Sequence, residues 1–190
     1  MTTIEEQTDR QKEIIINKSL DFKGFHDFQD LQSSSTTHLQ TFRTAKHKSI
    51  GEKIFIIKTL HQTKARLLRP PIEIKIWENL NLLDKKPQGI PPVQIHKENK
   101  SFYHMIFDIP FNNITQFAAD LNKSKQKLLF CRLTQIFDNL INTMAFLQTL
   151  NICHQGINND NIYIDAKTNQ IYMIDLAMSF NKYPEDGISI

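Results

Sequence analysis

A polar loop between a long amphipathic segment and a short hairpin is the feature that most constrains the fold of this chain. In residues 125–150, apolar side chains recur every three or four positions, which predicts a helix. The loop follows in residues 152–165 (ICHQGINNDNIYID), where residues 162–164 predict a first short strand. Residues 171–174 predict a second strand, directly before Asp175. We therefore expect a helix, then polar residues, then a hairpin that ends at an aspartate.

The first half of the chain predicts a sheet with one helix. Residues 25–60 have strand character, and residues 53–60 (KIFIIKTL) form a β-branched and aromatic run of buried-strand length. Residues 72–83 follow two prolines and place apolar side chains at helical spacing. Residues 93–96 and 102–109 read as a strand pair around a polar turn. The expected fold class is α+β.

Composition and charge point away from several classes of protein. The chain is 40% hydrophobic and 23% charged, which is typical of a folded domain. No apolar run reaches the length of a membrane span, and the polar N-terminus is unlike a secretory signal, so we expect an intracellular, cytoplasmic protein without a membrane partner. The net charge of +3 is small and evenly spread, which predicts no nucleic-acid partner. Cys131 and Cys153 lack the spacing of metal ligands.

The polar loop and the aspartate after the hairpin fit two motifs of protein kinases. A kinase has H-R-D-L-x-x-x-N in its catalytic loop and D-F-G after the next strand. In this chain His154, Gln155 and Gly156 stand in the place of H-R-D. Asn161 follows Gly156 by five residues, which is the spacing of the magnesium-binding asparagine, and Asp175 takes the position of the D-F-G aspartate. Asn161 and Asp175 are thus the candidate metal ligands.

A lysine and a glutamate in the first half complete the pattern. Lys58 ends the predicted strand IFIIK, where a kinase has its ATP-binding lysine, and Glu73 opens the next helix 15 residues later. These two are the candidate ATP-binding residues. The same residues have a structural interpretation, since Lys58 and Glu73 can form an ion pair that holds the helix to the sheet. Asn161 and Asp175 can likewise be turn and cap residues, so both interpretations stay open here.

Longer segments resemble the casein kinase I family. The similar segments are TLHQTKARLLRPPIEIKIWENL, GIPPV, FYHMIFDIP, INTMAFLQTLNICHQGINNDN and IYMIDLAMSFNKY. The resemblance covers about residues 25–183 and implies a kinase-like α+β fold, in which a small-lobe antiparallel sheet with its C helix precedes a truncated large lobe. It places the small lobe at about residues 25–108 and the partial large lobe at about 109–190, after an N-terminal extension at residues 1–24.

The chain departs from that family at the positions that handle phosphate and adenine. Gly156 replaces the catalytic aspartate, and Asn158 replaces the lysine that accompanies it in the family. Residues 33–42, where the resemblance places the phosphate-binding loop, contain no glycine, although backbone amides approach phosphates most closely at glycines. Ile56 and Tyr163 are larger than the family's residues beside adenine. We therefore expect no phosphotransfer and no cofactor, with ATP and Mg²⁺ as the alternative.

The family's large lobe continues beyond the D-F-G turn with helices that this chain lacks. In the family those helices cover the long helix, so part of the apolar face of residues 125–150 is expected to meet water unless a partner covers it. We expect a pseudokinase that is a structural or scaffolding subunit of a larger protein assembly, for instance a cytoskeletal or ciliary one. The alternatives are an incomplete sequence, a nucleotide-binding switch that retains Mg-ATP, and a weakly active Ser/Thr kinase.

Overall fold

A five-stranded antiparallel sheet, three α-helices and two small strand pairs make up the described fold. The computed structural model describes residues 20–31, 40–61, 71–99, 101–110, 112–124, 130–176 and 180–181. The strand order in the sheet is β1-β2-β3-β5-β4. Its strands are β1 (Phe25–Asp30), β2 (Gln40–His47), β3 (Ile54–His61), β4 (Val93–Lys97) and β5 (Phe102–Phe107). The helices are α1 (Ile72–Asn81), α2 (Ile114–Lys123) and α3 (Phe130–Thr149). The remaining strands pair as β6 (Ile152–Cys153) with β9 (Phe180–Asn181), and as β7 (Ile162–Ile164) with β8 (Ile171–Met173). The predicted α+β class is confirmed.

Strand β3 lies at the centre of the sheet and is buried on both faces. Ile56 and Leu60 belong to the main apolar cluster, while Phe55 and Ile57 belong to a second cluster on the other face. This alternation follows from the two-residue period of a strand, and a strand with apolar residues at both parities needs cover on both sides. The prediction of a buried strand at residues 53–60 is confirmed, with bounds one residue later.

Helix α1 covers one face of the sheet. Its buried residues Ile76, Trp77 and Leu80 pack in the same cluster as Met105 and Phe107 of β5. The helix begins directly after Pro71, a position at which the missing N–H of proline costs no hydrogen bond. The predicted helix at residues 72–83 is confirmed and ends two residues earlier than expected. The strand pair is confirmed too, with β5 ending at Phe107.

Residues just before β1 cover the opposite face. The backbone N–H of Leu20 donates to Gln94 Oε1 at 2.8 Å, and Gln94 Nε2 donates to the carbonyl of Leu20 at 2.5 Å. The ring of Phe22 stacks on His104, with 4.1 Å between ring centroids. Residues 20–24, which the sequence assigned to the N-terminal extension, therefore contact the sheet.

Helix α2 was not predicted from the sequence. It begins after Asn113, whose side chain accepts a hydrogen bond from the N–H of Gln116 at 2.9 Å, and it buries Phe117. Phe117 packs with the β7–β8 hairpin and Ile136 of α3 in a third apolar cluster. The hairpin itself was predicted, and its two strands pair as expected, from Ile162 opposite Met173 to Ile164 opposite Ile171.

Helix α3 corresponds to the predicted helix at residues 125–150, of which residues 125–129 lie outside the described residues. Its apolar positions do not share one environment. Ile136 and Leu147 are buried, whereas Phe130, Phe137 and Ile141 are exposed. Part of the predicted apolar face is therefore core and part of it is exposed, as expected from the sequence. No helix within the described ranges is both long enough and apolar enough to span a bilayer.

Candidate functional site

Strand β3 and helix α1 bring the two candidate ATP-binding residues together. Lys58 lies on the face of β3 that α1 covers, and Glu73 is in the first turn of α1. Lys58 Nζ donates to both carboxylate oxygens of Glu73, at 2.8 Å and 2.7 Å. The lysine is opposite Phe42 of β2 and Met105 of β5 in the sheet register, and its ammonium lies 5.2 Å from the centroid of the Phe42 ring. The predicted pairing of Lys58 with Glu73 is thus present.

The hairpin adds a second carboxylate to this pair. Asp175 follows β8 and has a positive φ of 66°, which turns the chain directly after the strand. Lys58 Nζ donates to Asp175 Oδ1 at 2.5 Å, and the backbone N–H of Leu176 donates to Glu73 Oε1 at 2.9 Å. We refer to Lys58, Glu73 and Asp175 as the charged cluster. It joins the sheet, the first helix and the hairpin.

Burial sets the electrostatics of the charged cluster. Lys58 is 0% exposed, and Glu73 and Asp175 are buried with it. An ammonium has three N–H donors, and here three carboxylate oxygens lie within hydrogen-bonding distance of them. Burial raises the pKa of the Glu73 carboxyl above its ordinary value, and the neighbouring Lys58 opposes that rise. A phosphate that bound Lys58 would have to displace a carboxylate from a site without solvent access.

The polar loop before the hairpin is held by hydrogen bonds among its own residues. Asn161 Nδ2 donates to the carbonyl of Gly156 at 2.7 Å. Asn158 Oδ1 accepts from the backbone N–H groups of Asp160 and Asn161, at 2.9 Å and 3.1 Å. The N–H of Gly156 donates to His154 Nδ1 at 3.2 Å, and burial lowers the pKa of His154. These contacts are the turn and cap chemistry that asparagine favours.

The two bulky residues that the resemblance would place beside adenine are both in the core. Ile56 and Tyr163 are both buried, and both belong to the main apolar cluster together with Ile174 and Leu176. Burial also raises the pKa of the Tyr163 hydroxyl, so the side chain stays neutral. An interior packed in this way leaves little unfilled volume between sheet and hairpin at these two side chains.

The structure brings together three of the four site residues predicted with roles in binding, and it places the fourth in the neighbouring loop. Asn161 is connected to the cluster through the backbone, because its carbonyl accepts from the N–H of Ile174, the residue before Asp175. Within the part of the chain that the structure describes, no three His, Cys, Asp or Glu residues are grouped to hold a metal ion. The roles of Phe42 and of the Leu176 amide were not predicted. Both depend on strand pairing and chain reversal, which leave no local mark in the sequence.

Comparison with known proteins gives no assignment for this site. No model of a protein family matches the chain, and no curated protein matches it. The interpretation of the site therefore depends on the geometry and on the residues themselves.

Proposed function

We propose that this chain is a casein kinase I-like pseudokinase, a non-catalytic protein that acts as a structural or scaffolding subunit of a protein assembly. The observation that supports it most is the state of Lys58, which is fully buried and whose ammonium contacts Asp175 as well as Glu73. In an active kinase the corresponding lysine also pairs with the helix glutamate, but it contacts the nucleotide phosphates as well. Here the ammonium is used to connect three elements of the fold.

The charge of the cluster also disfavours a nucleotide. One ammonium and two carboxylates sum to a negative charge when both acids are ionised. A triphosphate is itself strongly negative, so it would be repelled unless a divalent cation came with it. Ile56 and Tyr163 are buried where adenine would pack, and a base would have to displace these side chains.

The polar loop has glycine at the position where a kinase has its catalytic aspartate. Gly156 has no side chain with which to accept the proton of a substrate hydroxyl, and its N–H and carbonyl are bonded to His154 and Asn161. Positioning and electrostatics supply much of phosphoryl transfer, so the missing base alone would reduce activity without abolishing it. The missing base and the buried lysine together lead us to expect none.

A second candidate is a switch that binds Mg-ATP without phosphotransfer. It is favoured by one observation, the close approach of Lys58 and Asp175, which are the residue types that contact phosphate and magnesium in kinases. For this function the Asp175 carboxylate would have to leave Lys58 and bind the metal ion, which requires the hairpin to move away from β3.

A thermal unfolding titration separates the two candidates. We expect no change in the Tm of the full chain with Mg-ATP up to millimolar concentration, with Mg²⁺ alone as the control. A nucleotide-binding switch would instead be stabilised by about 2.7 kcal/mol at a hundredfold excess over its Kd. Saturable stabilisation by Mg-ATP, or transfer of labelled phosphate to an acidic peptide, would contradict the proposal.

A further inference from the structure

One face of helix α3 exposes four large apolar side chains in a row. Phe130, Leu133, Phe137 and Ile141 are 83%, 38%, 53% and 61% exposed. At 3.6 residues per turn they fall within an arc of roughly 80° and extend over about 16 Å of the helix. We call these four residues the apolar stripe. The fully buried residues of α3 lie roughly 100° further around the helix. The stripe adjoins half-buried residues of α3, Met144 among them, that pack with the hairpin.

The helix around the stripe has almost no charge. Among the 20 residues of α3 the charged ones are Arg132 and Asp138. Arg132 is directed to the hairpin turn, where its guanidinium donates to Asn169 Oδ1 at 2.8 Å and to the carbonyl of Ala166 at 2.7 Å. Depletion of charge around aromatic and aliphatic side chains is typical of the centre of a protein interface. It also means that two copies of this face can approach without like charges meeting.

The order of side chains in the stripe makes it complementary to itself in the antiparallel direction. Around a two-fold axis between Leu133 and Phe137, each Phe137 packs against Leu133 of a second copy. Each Phe130 then lies within about 1.5 Å, one residue, of the level of Ile141 and packs against it. Every layer then holds one aromatic and one branched aliphatic side chain, so the layers have equal volume. Parallel pairing would instead place phenylalanine against phenylalanine and aliphatic against aliphatic, and the layers would be unequal.

The exposed area indicates how strong such an association is. The four side chains expose on the order of 400 Å², within the range of about 300–600 Å² for the largest patch of a typical monomer. A standard interface buries about 800 Å² on each partner, so the stripe supplies roughly half of it. Flanking residues of α3 such as Thr134 and Ala145 are also exposed and would supply part of the rest.

We infer that the apolar stripe is a homodimer interface, in which the α3 helices of two copies of this chain pack antiparallel about a two-fold axis. This inference rests on the proposed scaffolding role and names its partner, which is a second copy of this chain. An interface of this size belongs with weak, transient contacts, so the association should need protein concentrations well above those of a permanent dimer.

Sedimentation velocity of the full chain over a concentration series tests the interface. We expect the wild type to change from monomer to dimer, and Phe137→Glu to raise the Kd at least 30-fold, because each glutamate would lie against Leu133 of the other copy. Leu133→Lys should weaken the dimer similarly. In the double variant Leu133→Lys/Phe137→Glu each introduced cation faces an introduced anion, so association should be tighter than in either single variant, though weaker than in the wild type. Leu82→Glu, at an exposed apolar residue outside the stripe, is the matched control and should leave the Kd unchanged.

The outcomes separate this inference from the proposed function. A wild type that stays monomeric over the concentration series overturns the dimer. This holds also if the chain binds a different protein through α3. The result of the Mg-ATP titration would be unaffected. Dimers that survive both single variants use another surface and overturn it too. A double variant that associates no more tightly than the single variants, while its free energy of unfolding matches theirs, overturns the antiparallel register. Circular dichroism and denaturant unfolding of each variant identify any that fail to fold, and for those Phe137→Ser replaces Phe137→Glu.

Discussion

The charged cluster and the apolar stripe reverse the usual distribution of residues between the inside and the surface of a protein. Lys58, Glu73 and Asp175 are ionisable and buried, while Phe130 and Phe137 are aromatic and exposed. Ionisable residues are rarely buried unless they are paired, and this cluster is fully paired. Large exposed apolar patches usually mark interaction sites. The comparison indicates a protein in which a buried ionic cluster joins three elements of the fold while one helix exposes apolar side chains to water.

The largest effect is expected when the cation of the charged cluster is removed. Lys58→Met leaves two carboxylates buried without a counter-charge, and removing one partner of a buried ion pair typically costs about 3–5 kcal/mol. The measurement is the free energy of unfolding in urea. Lys53→Met is the matched control, since Lys53 pairs with Asp108 in a partly exposed ion pair and should lose less than about 1 kcal/mol. Equal losses of unfolding free energy in Lys58→Met and Lys53→Met would mean that the buried ion pair contributes no more than the partly exposed one.

A smaller loss of stability is expected from a substitution against the side of α3 that faces the core. Gly89 approaches α3 so closely that an added Cβ would lie 2.0 Å from Thr143 Oγ1, and Thr143 is fully buried. Gly89→Ala should therefore destabilise the fold by about 1–3 kcal/mol. The double variant with Thr143→Ala removes the obstructing hydroxyl and methyl groups, so the two losses should not add. Strictly additive losses in urea unfolding would show that the two residues are not in contact.

The stability should also depend on pH through a buried histidine in the sheet. His104 is bonded to Thr59 Oγ1 and Glu98 Oε2, and burial lowers its pKa from the ordinary value of 6.5. Its neutral form is thus favoured in the folded state. The contribution of neutral His104 to the free energy of unfolding is fully present above pH 6.5. It is lost as the pH falls through the lower pKa that His104 has in the folded state. The difference in unfolding free energy between the wild type and His104→Gln should therefore narrow from pH 7.5 to pH 5.5. A difference that stays constant over this range would contradict the assignment.

The smallest effect on folding is expected at the stripe. Phe137→Ser removes an aromatic ring that is largely in water, so the free energy of unfolding of the monomer should change by less than about 0.5 kcal/mol. Phe107→Ser, at a fully buried phenylalanine, is the contrast and should lose at least 3 kcal/mol. Both free energies of unfolding are measured in urea at a protein concentration below that at which the chain associates. A large loss at Phe137 would mean that the ring is covered within the monomer.

Much of the local structure was predictable because it depends on short patterns. The β-branched run around Ile56 predicted a central strand, and the 3.6-residue period predicted the helix that carries Glu73. The sequence failed where contacts between distant segments decide. Helix α2 follows an Asn113 cap in a segment that was left without an assignment. The apolar face of α3 was expected to be partly exposed, but the sequence did not show which of its residues meet water.

The sequence by itself determined that position 156 offers no side-chain donor or acceptor in any fold, because its residue is glycine. It also determined the type of most elements, because periodicity and turn residues act over a few positions. Tertiary structure alone decided that Lys58 is enclosed by Glu73 and Asp175, residues 15 and 117 positions away in the chain. It alone decided which apolar residues of α3 meet water. Burial is a property of the packed assembly of elements, so a pattern within one element cannot fix it.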